Sequence, residues 1–169
     1  ISQYYGAHDY KKVHDAVHTA IMLTIILTVA MTIIGIAMTP WMLNFMKMQG
    51  EVYNEAKEYL TIYFAGIIGL LFYNMCAGIL RAVGDSKRPF NFLLVAAVTN
   101  TVLDLVFVIV FGMGVAGVAY ATIIAQALSA SLTMVTLMRS HSCVRVILRD
   151  IRIHMEMLKK TIRVGIPAA

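Results

Sequence analysis

Residues 90–138 read FNFLLVAAVTNTVLDLVFVIVFGMGVAGVAYATIIAQALSASLTMVTLM, and Asp104 is their one formal charge. About 20 apolar residues, at 1.5 Å rise each, cross a hydrocarbon layer of roughly 30 Å. The stretch therefore holds two spans, 90–111 and 117–138. Only Gly112-Met113-Gly114-Val115-Ala116 separates them. Two glycines in five residues predict a tight turn, so the two spans form an antiparallel hairpin. The runs are continuously apolar and lack the in-out alternation of a membrane β-barrel strand. The fold class is all-α integral membrane, a polytopic helix bundle.

Working outward, two more spans come into view. Residues 19–45 lie in a stretch with no formal charge between Asp15 and Lys47, and residues 59–80 lie between Glu58 and Arg81. The whole chain agrees, with 60% hydrophobic and 14% charged residues and a mean hydropathy of +0.78. A soluble domain is about 45–50% apolar and about 25% charged. Its 169 residues leave no room for a separate soluble domain. The chain starts at Ile1 and stops as a new apolar segment begins, so it reads as an internal piece of a longer protein. Cys76 and Cys143 set up no disulfide framework.

Loop charge gives the expected orientation. Twelve of the 14 Lys and Arg residues fall before the first span, between the second and third, or after the fourth. Only Lys47 and Lys57 lie on the other side, beside Glu51, Glu55 and Glu58. The positive-inside rule then places residues 1–18, 81–89 and 139–163 in the cytoplasm. Trp41, Tyr59 and Tyr63 fall near the outer interface, as an aromatic belt would. The net charge of +5 follows from this sidedness, and nucleic acid is not an expected partner.

The tail repeats apolar residues at helical spacing: Val144, Ile147, Leu148, Ile151, Met155 and Leu158. Arg145, Arg149, Arg152, Glu156 and Lys159 take the other face. This predicts an amphipathic helix from 144 to 160, lying on the inner leaflet or serving as a solvated linker. Residues 161–169, with Gly165-Ile166-Pro167, read as the start of a fifth span.

Asp104 is the central candidate. A carboxylate in hydrocarbon costs roughly 2.5–3.5 kcal/mol on insertion scales, so a cavity, an ion or a partner must offset it. Asn100 lies four residues earlier, on the same helical face. Counting depth from the turn puts Asp104 about 10 Å in and Thr122 about 8 Å, Asn100 about 16 Å and Gln126 about 14 Å. Asp104 is thus expected to face Thr122, and Asn100 to face Gln126. Oxygen ligands suit a hard cation such as Na⁺, and a carboxylate can instead take a proton. The plainer alternative is a hydrated acid near the outer end, with Asn100 as interhelical glue.

Other polar features read as packing or solvated surface. Thr24, Thr28 and Thr32 form a stripe expected to bond their own i−4 carbonyls. Gly66 and Gly69 predict a close helix crossing. Asn74, inside the second span, is a weak candidate for the substrate cavity, together with Gln126. His14 and His18 have metal-ligand spacing but no third ligand, and are read as solvated. No phosphate loop, nucleophile elbow or zinc motif is present, so no catalytic residue, metal or cofactor is expected.

Ile79-Leu80-Arg81-Ala82-Val83-Gly84-Asp85, followed by Lys87-Arg88-Pro89, resembles the helix 4–5 loop of the multidrug and toxic compound extrusion (MATE) family. Further stretches match in order. Gln3-Tyr4-Tyr5-Gly6-Ala7 resembles the end of that family's second helix, and Asn100 with Asp104 resembles its fifth. Gly114-Val115-Ala116-Gly117-Val118-Ala119 with Thr122 resembles the turn into the sixth, and Gly165-Ile166-Pro167 the start of the seventh. The resemblance implies a twelve-helix, two-lobe transporter, with residues 1–138 in the first lobe, 139–160 as the cytoplasmic interlobe linker and 161–169 opening the second lobe.

It further implies an antiporter that exports organic cations or drugs across the inner membrane in exchange for H⁺ or Na⁺. Asn100, Asp104 and Thr122 are then the ion-site members from helices five and six. The implied partners are a cationic small molecule, the lipid bilayer and the remainder of the transporter. Two alternatives stand beside it: a lipid-linked oligosaccharide flippase of the same superfamily, and a non-transporting assembly or sensor subunit.

Overall fold

The computed structural model describes the backbone of residues 1–168 and the side chains through residue 163. Asp9 starts the first long helix. Its Oδ1 accepts from the Lys12 amide at 3.3 Å, and its Oδ2 accepts from Lys12 Nζ at 2.7 Å. A side chain that pairs a free first-turn N–H is what a helix start requires. The preceding α1 (Ser2–Gly6) is a single short turn, and α2 (Tyr10–Phe45) then runs 36 residues. At 1.5 Å per residue α2 is about 54 Å long, so it projects well beyond the hydrocarbon layer.

Gly50, with φ of 68°, reverses the chain into α3 (Glu51–Ala82). Next come α4 (Lys87–Leu105), continued by a π-helical turn at Val106–Val110, and α5 (Gly114–Met138). Gly112 and Gly114 both have positive φ, at 63° and 57°. The two-glycine turn expected from the sequence is therefore present, and α4 and α5 form the hairpin. All four helices are long and apolar enough to cross a membrane, as the sequence predicts.

α3 and α5 sit at the centre of the bundle, with α2 packed on α3 and α4 packed on α5. The central crossing depends on the two glycines of α3. A Cβ at Gly66 would overlap the side chain of Ile123. A Cβ at Gly69 would lie 3.1 Å from the backbone of Gln126 and Ala127, which cannot move aside as a side chain can. Small residues at a crossing let helices gain dispersion contact where lipid removes the hydrophobic drive. Among the threonines, Thr24 and Thr28 donate to their i−4 carbonyls at 2.8 and 2.7 Å. Thr32 instead bonds the Phe64 carbonyl on α3 at 3.1 Å, the close-packing role that such a stripe also serves.

α4 leaves a wide apolar face outward: Phe90, Leu94, Val98, Val102, Leu105 and Ile109 are all exposed. A face this large and this apolar belongs in hydrocarbon or against further protein. The buried core is concentrated at the Arg-rich end, where Val13, Val17, Ile21, Cys76, Ile79, Leu80 and Leu137 meet. Trp41 stacks on Phe45 and Tyr59 on Tyr63 at the opposite end.

The tail differs from expectation. It is not helical from 144 to 160. Val144 and Val146 alternate into the core, 1% and 3% exposed, with Arg145 outside them. The Val146 amide bonds the Leu137 carbonyl at 3.3 Å, which satisfies one free carbonyl at the end of α5. A 3-10 turn follows at Leu148–Asp150, and the helix α6 (Met155–Ala168) starts only at Met155. Burial of Val144 and Val146 against the core outweighs the helical spacing of the apolar residues. α6 also runs unbroken through the expected boundary between linker and fifth span. The side chains of Gly165-Ile166-Pro167, and Ala169 entirely, lie outside the described residues.

Candidate functional site

α4 and α5 bring two of the three ion-site candidates into contact. Asn100 Nδ2 donates to Thr122 Oγ1 at 3.4 Å, and Thr122 Oγ1 in turn donates to the Val118 carbonyl at 2.9 Å. The pairing sits one helical turn from the one depth counting gave. Asn100 meets Thr122 and not Gln126, and Asp104 is not paired with Thr122. The cause is local. α5 begins at Gly114, three residues earlier than the apolar run suggests, and the wide turn at Val106–Val110 changes the register of α4. The Phe111 amide reaches back five residues to the Val106 carbonyl at 3.1 Å.

Asp104 lies one turn beyond Asn100, half-buried and two residues before the π turn. Its Oδ1 is buried and, among the described residues, is the side-chain polar atom left without a hydrogen-bond partner. Leaving such an atom unpaired costs about 1–3 kcal/mol, and more for a charged group. Buried polar groups in folded proteins are nearly always satisfied, so this orphaned oxygen calls for an explanation, and a water, an ion or a proton would supply one. A carboxylate with an amide oxygen and a hydroxyl one turn away offers oxygen donors to a hard cation, or a single seat for a proton. π turns are also concentrated at functional sites.

The two cavity candidates are not part of this group. Gln126 sits at the α3–α5 crossing, its Cβ against Gly69. Asn74 is exposed on α3. Sequence reasoning missed the π turn, because Val-Phe-Val-Ile-Val reads as a plain apolar run.

It also misread His18, which is fully buried and not solvated. Nδ1 lies 2.8 Å from the His14 carbonyl, and Nε2 accepts the Ile147 amide at 3.0 Å. Thr19 Oγ1 accepts the His154 amide at 3.1 Å. These contacts fix the stretch after α5 against the start of α2. The signal was present, since His18 and Thr19 directly precede the apolar run, but its partners lie 129 and 135 residues away.

Beyond this dock, Lys160 Nζ bonds Glu156 at 2.7 Å and lies 5.5 Å from the centroid of the Tyr4 ring. The bond from Lys160 holds the Glu156 carboxyl below its ordinary range. The bond to Glu156, with the Tyr4 side chain close by, pushes the Lys160 ammonium up.

The fold defines a multi-pass helical membrane protein with an unsatisfied acid on one of its spans. The MatE family profile matches residues 1–106, and the chain belongs to the MATE family. It is 42% identical over 95 residues to the probable multidrug resistance protein YpnP of Bacillus subtilis, a match covering 56% of this chain and 21% of that protein. A multidrug resistance MATE family transporter of the MOP superfamily has been solved in two conformations. The inward-facing one aligns with a TM-score of 0.89 at 33% identity, covering 98% of this chain and 38% of that one. The outward-facing one aligns with a TM-score of 0.88 at 33% identity, covering 98% and 37%. The chain therefore spans well under half the length of the relatives it matches.

Proposed function

We propose that these residues form part of the first lobe of a secondary antiporter that exports organic cations or drugs in exchange for H⁺ or Na⁺. The observation that carries the reading is the buried, unpartnered Oδ1 of Asp104. On this reading Asp104 is the ion seat, with Asn100 and Thr122 as neighbouring donors held by their mutual bond. An acidic group inside the spans favours a cationic substrate over an anionic lipid-linked sugar. The protein sits in the cytoplasmic membrane with its Arg-rich end inward, in accord with the distribution of loop charge.

Exchange requires two ligands with opposite preferences for two conformations. A cation at Asp104 satisfies the orphaned oxygen and stabilises one state, and substrate stabilises the other. The segment aligns equally well with an inward-facing and an outward-facing relative. This supports a lobe that keeps its internal packing while it rocks against its partner. The test is dye efflux from proteoliposomes containing the full-length transporter, under imposed pH and Na⁺ gradients. Efflux should follow one of the two gradients and be lost in Asp104→Asn. Gradient-independent efflux, or full efflux by that variant, contradicts the proposal.

A further inference from the structure

His18 and the stretch after α5 form a second polar arrangement, remote from Asp104 and not used by transport as described above. Nε2 of His18 receives the Ile147 N–H at 3.0 Å, so this nitrogen carries no proton. The proton of the neutral ring then resides on Nδ1, which donates it to the His14 carbonyl at 2.8 Å. Both nitrogens are satisfied and the ring is fully buried. A second proton on the ring would point an Nε2–H at the Ile147 N–H, two donors face to face. It would also place an unhydrated cation at a fully buried position, next in sequence to the core residue Val17. Both terms oppose the docked arrangement.

We propose that docking of residues 144–154 on the start of α2 and protonation of His18 exclude one another, so that acid at this end of the bundle releases the segment that leads into α6. His18 is the pin of a pH-sensitive latch. The groups around it also enter the balance. On α2, the His14 ring lies 4.0 Å from the His18 ring, centroid to centroid. His14 is 3.8 Å from Asp15 of α2 and 3.7 Å from Asp150 of the docked segment. His154 of that segment is 3.7 Å from Asp15. Arg145, Arg149 and Arg152 of the segment are exposed. Val17, and Val146 of the segment, flank His18 and Ile147 in sequence and belong to the apolar cluster that also holds Cys76 of α3 and Leu137 of α5.

The signs differ between these groups. Protonated His14 and His154 pair with Asp150 and Asp15 across the interface, which tightens docking. Protonated His18 has no acceptor for its new N–H, which loosens docking. The latch holds while the His18 ring is neutral and opens when it takes a second proton.

The experiment is hydrogen exchange of the peptide spanning residues 144–154, in the full-length transporter in lipid nanodiscs, from about pH 8 to about pH 5. Rates are corrected for intrinsic exchange. For wild type, protection should fall at the acid end, by up to about tenfold per pH unit for release linked to one proton. In the double variant His14→Gln, His154→Gln the opposing pairs are gone, and the fall should begin at higher pH. In His18→Gln the amide oxygen still accepts Ile147 N–H but does not titrate, so the acid-end fall should be absent and protection should hold or rise as His14 and His154 pair with Asp150 and Asp15. A flat profile in the double variant overturns the latch. So does an acid-end fall that persists unchanged in His18→Gln. If His18→Gln does not fold, the double variant alone decides.

Discussion

His18 and Asp104 are both titratable side chains withdrawn from water, and they are treated in opposite ways. His18 has a partner on each nitrogen, at 2.8 and 3.0 Å, and is sealed in the core at the Arg-rich end. Asp104 has a buried oxygen with none, beside a π turn in a helix that otherwise presents apolar residues outward. The contrast separates a group whose polar atoms the fold satisfies from one it leaves open, the group proposed above as the ion seat. Satisfied polar groups fix an arrangement. An unsatisfied one is a standing free-energy deficit that binding can relieve.

The largest expected effect breaks the contrast at its unsatisfied end. Asp104→Asn should abolish ion-driven efflux while the protein still inserts, as judged by membrane fractionation and by a proteoliposome assay. Its mirror at the satisfied end is His18→Ala, which leaves the Ile147 amide and the His14 carbonyl without their partners. A lowered melting temperature in detergent, with a destabilisation of about 1–3 kcal/mol, is expected there. Transport per folded molecule should fall far less than with Asp104→Asn.

Gly69→Ala tests the scaffold common to both regions. Its Cβ would press on the backbone of Gln126 and Ala127, so a cost of about 1–3 kcal/mol is expected in the same melt. Thr122→Val removes the acceptor of a long bond from Asn100. Interhelical bonds of this kind average about 0.6 kcal/mol, so stability should change little. Any larger loss of efflux would then report on the ion seat.

The smallest effect is expected at Lys160→Met. The Glu156 carboxyl is held below its ordinary range by Lys160, so the pair contributes above the unfolded carboxylate range and fades as the pH falls through the folded value. The variant's deficit should be slight at pH 7 and vanish in acid.

Four spans, their hairpin turn and the glycine crossing were legible in the sequence. Each rests on a signal summed over many residues, or on a residue type with one physical use. Twenty apolar residues survive an error of three at either end. The pairing of Asn100 does not, because it turns on where α5 begins and on one wide turn in α4. Val144 fitted the helical spacing and Val146 did not, and only the core formed by α2, α3 and α5 shows that both are buried together. His18 looked solvated because the amide that buries it, at Ile147, lies far along the chain. Asp104 was legible because charge in hydrocarbon is costly wherever it occurs. Its orphaned oxygen was not, because that depends on which groups the fold brings beside it.

Cation release on substrate binding tests the ion seat most directly. Purified full-length transporter, loaded with protons in one sample and Na⁺ in another, is mixed with a cationic dye in weak buffer while pH and free Na⁺ are followed. Wild type should release one of the two cations as dye binds, and Asp104→Asn should bind dye and release neither. Equal release from both proteins would place the exchanged cation elsewhere and contradict the account.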